Sequence, residues 1–64
     1  MSNLDRAMAA KGMSVQDLAI AIGRHPSFIY QIRRGEKVPS LKTAKRISDV
    51  LELDIESLFG GLLS

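Results

Sequence analysis

Ser14-Val15-Gln16-Asp17-Leu18-Ala19-Ile20-Ala21-Ile22-Gly23-Arg24-His25-Pro26-Ser27-Phe28-Ile29-Tyr30-Gln31-Ile32-Arg33-Arg34-Gly35 is the stretch from which the rest of this chain can be read. Its apolar residues recur at intervals of three and four, the period of a helix, and not at two. Ser14 followed three residues later by Asp17 has the form of a capping box with aspartate in the glutamate role. Leu18, Ala19 and Ile22 then make one buried face, and Gly23 ends that helix. Pro26 fits the first turn of a second helix, where its missing N–H is not needed, and pushes His25 into the extended conformation of an N-cap. Ile29 and Ile32 continue the buried stripe until Gly35 closes the segment. Two short helices joined by a glycine-bearing turn result. Ala19 has to be small where they cross, and Ile22, Ile29 and Ile32 fill the wedge between them.

On either side the same signals predict three more helices. The first runs from about Asn3 to Lys11, with Ser2 or Asn3 as its cap, Leu4, Ala7 and Met8 inward, and Gly12 as its stop. After the central pair, Ser40 caps a helix reaching Leu51 that turns Leu41, Ala44, Ile47 and Leu51 inward. Asp54 caps a short last helix, Ile55 to Phe59, whose Leu58 and Phe59 return to the core. No repeat, low-complexity stretch or long linker interrupts the chain. The expected fold class is all-α, a compact five-helix bundle forming a single domain over residues 1–64.

Composition restricts what such a bundle can do. A chain of 64 residues buries only about 60% of its unfolded surface, so its stability comes from one compact core or is shared with a partner. It has no cysteine and one histidine, His25, which leaves neither a disulfide framework nor a zinc cluster. No apolar run approaches the roughly 20 residues that cross a bilayer. The N-terminus carries Asp5 and lacks the order of a signal peptide, so a cytoplasmic location is expected. The net charge of +2 hides a strong asymmetry: residues 24–46 hold seven cations against Glu36 alone, while residues 47–64 carry four carboxylates and no cation. A basic middle beside an acidic end points to a polyanionic partner. With that charge, the helix pair of residues 15–34 has the form of a DNA-binding unit.

The full string Met13-Ser14-Val15-Gln16-Asp17-Leu18-Ala19, Ile22-Gly23, Ile29, Ile32, Arg34-Gly35 and Pro39-Ser40-Leu41 resembles the phage Cro/repressor (Xre-type) helix-turn-helix family, over roughly residues 4–59 without a gap. The resemblance implies a lambda-repressor-like fold that binds operator DNA, commonly as a dimer on a palindrome. It places base readout at the start and exposed face of the recognition helix, about residues 26–34, here His25, Pro26, Ser27, Phe28, Tyr30 and Gln31, of which Pro26, Ser27, Phe28 and Gln31 are the candidates for base contact. It places phosphate contacts at the start of the second helix (Val15, Gln16), in the loop after the third (Lys37) and at the start of the fourth (Ser40, Lys42, Thr43).

Several positions depart from the family pattern. The glutamine that often opens the second helix is Val15, shifting its contact to Gln16 or to bare backbone N–H groups. The apolar residue after the turn glycine is Arg24, which can lean toward a phosphate. The glycine that often ends the fourth helix is Glu52, a weaker cap. Many relatives set an arginine in the first helix against a glutamate before the Arg-Gly; here those positions are Met8 and Arg33. Losing both partners together avoids an unpaired buried charge. The expectation is that Met8 packs on the stem of Arg33, whose guanidinium is free for the DNA backbone.

Gln31 is the first choice for direct readout, because its amide can pair bidentately with adenine in the major groove. Ser27 can donate or accept and discriminates less. Phe28 either joins the core or touches a thymine methyl, and Tyr30 either reaches a phosphate or packs on a neighbouring helix. His25 is a helix cap or a phosphate neighbour. Arg34, Lys37 and Lys42 neutralise phosphates, which positions the domain without specifying sequence.

The leading function is therefore a transcriptional regulator, bacterial or phage-encoded and Cro-like, acting as a repressor through double-stranded operator DNA. Val50, Leu53, Ile55, Leu62 and Leu63 are candidate residues for a homodimer interface, with Phe59 more at home in the core. The competing class is a protein-interaction module on the same fold, such as an antitoxin or a regulatory partner-binding domain. No cofactor, metal, membrane or small-molecule effector is implied. No nucleophile–base pair or phosphate loop suggests an enzyme.

Overall fold

The computed structural model describes the backbone of residues 2–63 and the side chains of residues 2–60. Those residues form five helices and no strand: α1 (Asn3–Lys11), α2 (Val15–Ile22), α3 (Pro26–Arg33), α4 (Leu41–Leu51) and α5 (Ile55–Leu63). The all-helical expectation holds, and the first four helices begin and end where the sequence signals put them.

Local chemistry explains these boundaries. Ser2, not Asn3, caps α1: its hydroxyl accepts from the Asp5 N–H while the Asp5 carboxylate accepts from the Ser2 N–H. Ser14 and Asp17 repeat the reciprocal box on α2. Asp54 accepts from the Ser57 N–H at 2.7 Å at the start of α5. At the other ends, four helices close with a shared backbone bond, in which the residue after a left-handed one reaches back to the carbonyl five residues earlier. These are Met13 to Met8, Arg24 to Ala19, Glu36 to Gln31 and Leu53 to Ser48. Each closure needs one left-handed residue. It is glycine after the first three helices and Glu52, at φ 57°, after α4.

The core draws one fully buried large side chain from each of four helices: Leu18, Ile29, Ile47 and Phe59. Leu4, Ala7 and Met8 of α1, Val15, Ala19 and Ile22 of α2, Phe28 and Ile32 of α3, Ala44 and Leu51 of α4, and Leu58 of α5 complete it. Among the described residues no buried side-chain polar atom lacks a partner; the buried Ser48 hydroxyl donates to the Leu53 carbonyl.

Two expectations are corrected. Leu41 is 71% exposed. Its angular position matches the stripe of Ala44, Ile47, Ser48 and Leu51, but burial on that stripe begins only at Ala44, and Pro39 is the buried residue just before the helix. Helix α5 continues to Leu63 instead of stopping at Phe59, because a glycine inside a helix costs about 1 kcal/mol without forbidding it.

Candidate nucleic-acid interface

Helix α3 presents its outer face because its inner one is fixed. At about 100° per residue, Phe28, Ile29 and Ile32 form a single stripe, and all three are buried. Ser27, Tyr30 and Arg34 lie opposite and are exposed, with Gln31 half-buried on the Phe28 flank and Pro26 half-buried at the first turn. The tight turn at Gly23, φ 70°, sets the angle between α2 and α3.

His25 is the cap of α3. Its Nδ1 accepts from the Ser27 N–H at 3.1 Å and lies 3.0 Å from the Ser27 hydroxyl. The ring therefore carries its proton on Nε2 when it caps, and Ser27 is held by the residue before the helix. At the start of α4, the Ser40 hydroxyl accepts from the Thr43 N–H and donates to the Thr43 hydroxyl at 3.1 Å. Gln16 is exposed on the first turn of α2. The Asp17 carboxyl is held below its ordinary value by the Ser14 N–H and hydroxyl.

Ion pairing sorts the cations of the basic middle, which composition alone could not do. Arg34 is bound by Glu36, with Nε 2.7 Å from one carboxylate oxygen and Nη2 3.4 Å from the other. Lys45 pairs with Asp49 one turn along α4 at 2.9 Å. Among the described residues, Arg24, Lys37, Lys42 and Arg46 of this segment meet no carboxylate. Three of these four lie in the loops flanking α3 or at the first turn of α4.

Arg33 is not free, which overturns the expectation for it. Its guanidinium pairs with Asp5 of α1, on the flank of α3 away from Ser27 and Arg34. Asp5 is pushed up by burial but pulled further down by the Ser2 N–H, the Ser2 hydroxyl and Arg33, and ends below its ordinary value. The family's α1–α3 ion pair is thus present with its charges exchanged, the acid sitting one turn before Met8. Met8 and Arg33 do line one surface hollow of about 290 Å³, together with Asp5, Met13 and Val15.

Phe28 is corrected as well. At 8% exposure it belongs to the core and offers no side chain to a groove. The Arg24 guanidinium lies over its ring, 3.9 Å from the centroid, and the Lys37 ammonium lies 6.0 Å away. The sequence reading missed this arrangement; an arginine four residues before an aromatic, across a turn, is its only trace in the chain. Tyr30 is 45% exposed, with the Arg33 guanidinium 5.6 Å from its ring centroid.

Of the candidate interface residues at the other end, Leu53 is exposed, while Val50 and Ile55 are half-buried against the core. Phe59 is core. The side chains of Leu62 and Leu63 lie outside the described residues. Among the described residues no helix is long and apolar enough to cross a membrane, and no three metal-ligating side chains cluster.

Residues 3–60 match the Cro/C1-type HTH DNA-binding domain, and the chain belongs to that family. Its class of activity is DNA binding, in the service of transcription regulation. No curated protein and no solved structure matches the chain.

Proposed function

We propose that this single domain is a sequence-specific reader of double-stranded DNA that acts as a Cro-like repressor, lying with α3 in the major groove of an operator in the cytoplasm. One observation carries the reading: Ile29 and Ile32 are buried to the root, so Ser27 and Tyr30 face outward, with the half-buried Gln31 on their flank, between cations that no carboxylate neutralises among the described residues. In this reading Gln31 and Ser27 touch base edges, with Pro26 shaping the approach. Arg24, Lys37 and Lys42 grip phosphates, with Gln16, Ser40 and Thr43 at the starts of α2 and α4 adding N–H and hydroxyl donors. His25 acts through its cap on α3. Arg34 contributes less than its charge suggests, since Glu36 already occupies its fork.

The repressor binds as a homodimer. Two half-sites about one DNA turn apart convert a weak single contact into a tight one through effective concentration, and the exposed Leu53 with the half-buried Val50 and Ile55 supplies the apolar contact. Selection of bound duplexes from a random pool, followed by the mass of the complex in solution, tests both parts. A palindromic consensus bound by two chains is the expected result. Recovery of no preferred sequence at any salt concentration overturns sequence-specific readout.

A further inference from the structure

We propose that Phe28 is a positioning residue whose ring holds the Arg24 guanidinium, and at longer range the Lys37 ammonium, as a two-cation clamp for a DNA phosphate. The proposal rests on the DNA-binding reading above and adds a role that the helix's base-reading face does not supply. Its starting point is the contrast between the arginines of this surface. Arg33 and Arg34 are each paired with a carboxylate, Asp5 and Glu36. Arg24 instead lies over an aromatic face at 3.9 Å and meets no carboxylate among the described residues, so its N–H donors are left for bidentate contact with a phosphate.

The backbone on both sides of the ring is anchored. The Arg24 N–H donates to the Ala19 carbonyl at 2.9 Å, as part of the closure of α2. The Lys37 N–H donates to the Gln31 carbonyl at 3.3 Å, beyond the end of α3. A buried ring is a fixed object, so a long flexible side chain resting on it has already lost much of the freedom it would otherwise lose on binding. The 6.0 Å separation of Lys37 from the same centroid is at the limit of a cation–π contact. The consequence is electrostatic: two like charges share one ring, and among the described residues no carboxylate pairs with either. An anion between them relieves that repulsion, and a phosphate of a duplex lying along α3 is such an anion.

A double-mutant cycle on the whole chain tests this, with a fluorescent duplex of mixed sequence titrated at low salt. Phe28→Leu keeps an apolar side chain in the core and removes the π face; Phe28→Tyr keeps the face. Leucine should weaken binding to every duplex by about threefold to tenfold, and tyrosine should restore it. In an Arg24→Ala background the leucine change should have almost no further effect. Equal losses from Phe28→Leu with and without Arg24 overturn the clamp and leave Phe28 as core alone. Should the leucine variant fail to fold, proton NMR of the wild-type chain decides: Arg24 side-chain protons shifted upfield by the ring support the clamp, and random-coil positions refute it. If the wild-type chain retains no duplex even at low salt, the DNA-binding reading itself fails, whatever the ring does to Arg24.

Discussion

At Arg33, competition between a carboxylate and a phosphate decides what one guanidinium does. Paired with Asp5 across two helices and only partly exposed, it is placed to hold α1 on α3. Arg33→Ala should therefore lower the melting temperature, by an amount corresponding to about 1 kcal/mol, and leave the salt dependence of duplex binding unchanged. A salt slope that falls by about one unit would show that Arg33 reaches a phosphate after all. Lys42 and Gln31 make the complementary case. Lys42→Ala should weaken all duplexes alike and flatten the slope by about one, whereas Gln31→Ala should cost roughly 1–3 kcal/mol of preference at one base pair. Titrations on a selected and a scrambled duplex separate the two, and matching effects from both variants would count against the roles assigned to them.

At the scale of the element, the helix ends set the geometry of the reading surface, and one of them is strained. Glu52 occupies the left-handed position that closes α4, a conformation costing an L-residue roughly 1–2 kcal/mol. Its ion pair with Lys11 is exposed and returns little of that. Glu52→Gly should raise the stability by about 0.5–1 kcal/mol, read as a higher urea midpoint with an unchanged slope. Glu52→Ala, which keeps the strain and loses the ion pair, should not. Helix ends were also the most legible features in the chain. Ser14 with Asp17, Gly23, His25 with Pro26, and Ser40 act on backbone groups a few residues away, so their effect is written in local order. Leu41 shows the limit of that logic: periodicity gave its direction around α4, but nothing in it says where along the helix burial begins.

For the whole molecule, acid is the condition most directly tied to the fold. The carboxyls of Asp5, Asp17 and Asp54 all sit below their ordinary value of 3.8. In the last two the cause is hydrogen bonding from Ser14 and Ser57 at helix starts. As pH falls, the unfolded chain takes up these protons first, so stability is full above the unfolded value and is lost as pH drops through the lower folded values. The melting temperature should be flat with respect to these groups above about pH 5 and fall below about pH 4. Asp17→Asn should make that fall shallower, and an unaltered acid limb would remove Asp17 from the account.

The chain by itself determined five helices, their caps, the buried stripe and a cation-rich middle, because each follows from contacts within a few residues or from composition. Only the tertiary structure decided which cations are available. Arg33 is taken by an acid 28 positions away in sequence, and Arg24 is laid on a ring that the sequence offered equally to the core or to a thymine. Charge is a property of a residue, but its availability depends on what lies within a few ångströms, and that distance is fixed only when separate helices pack.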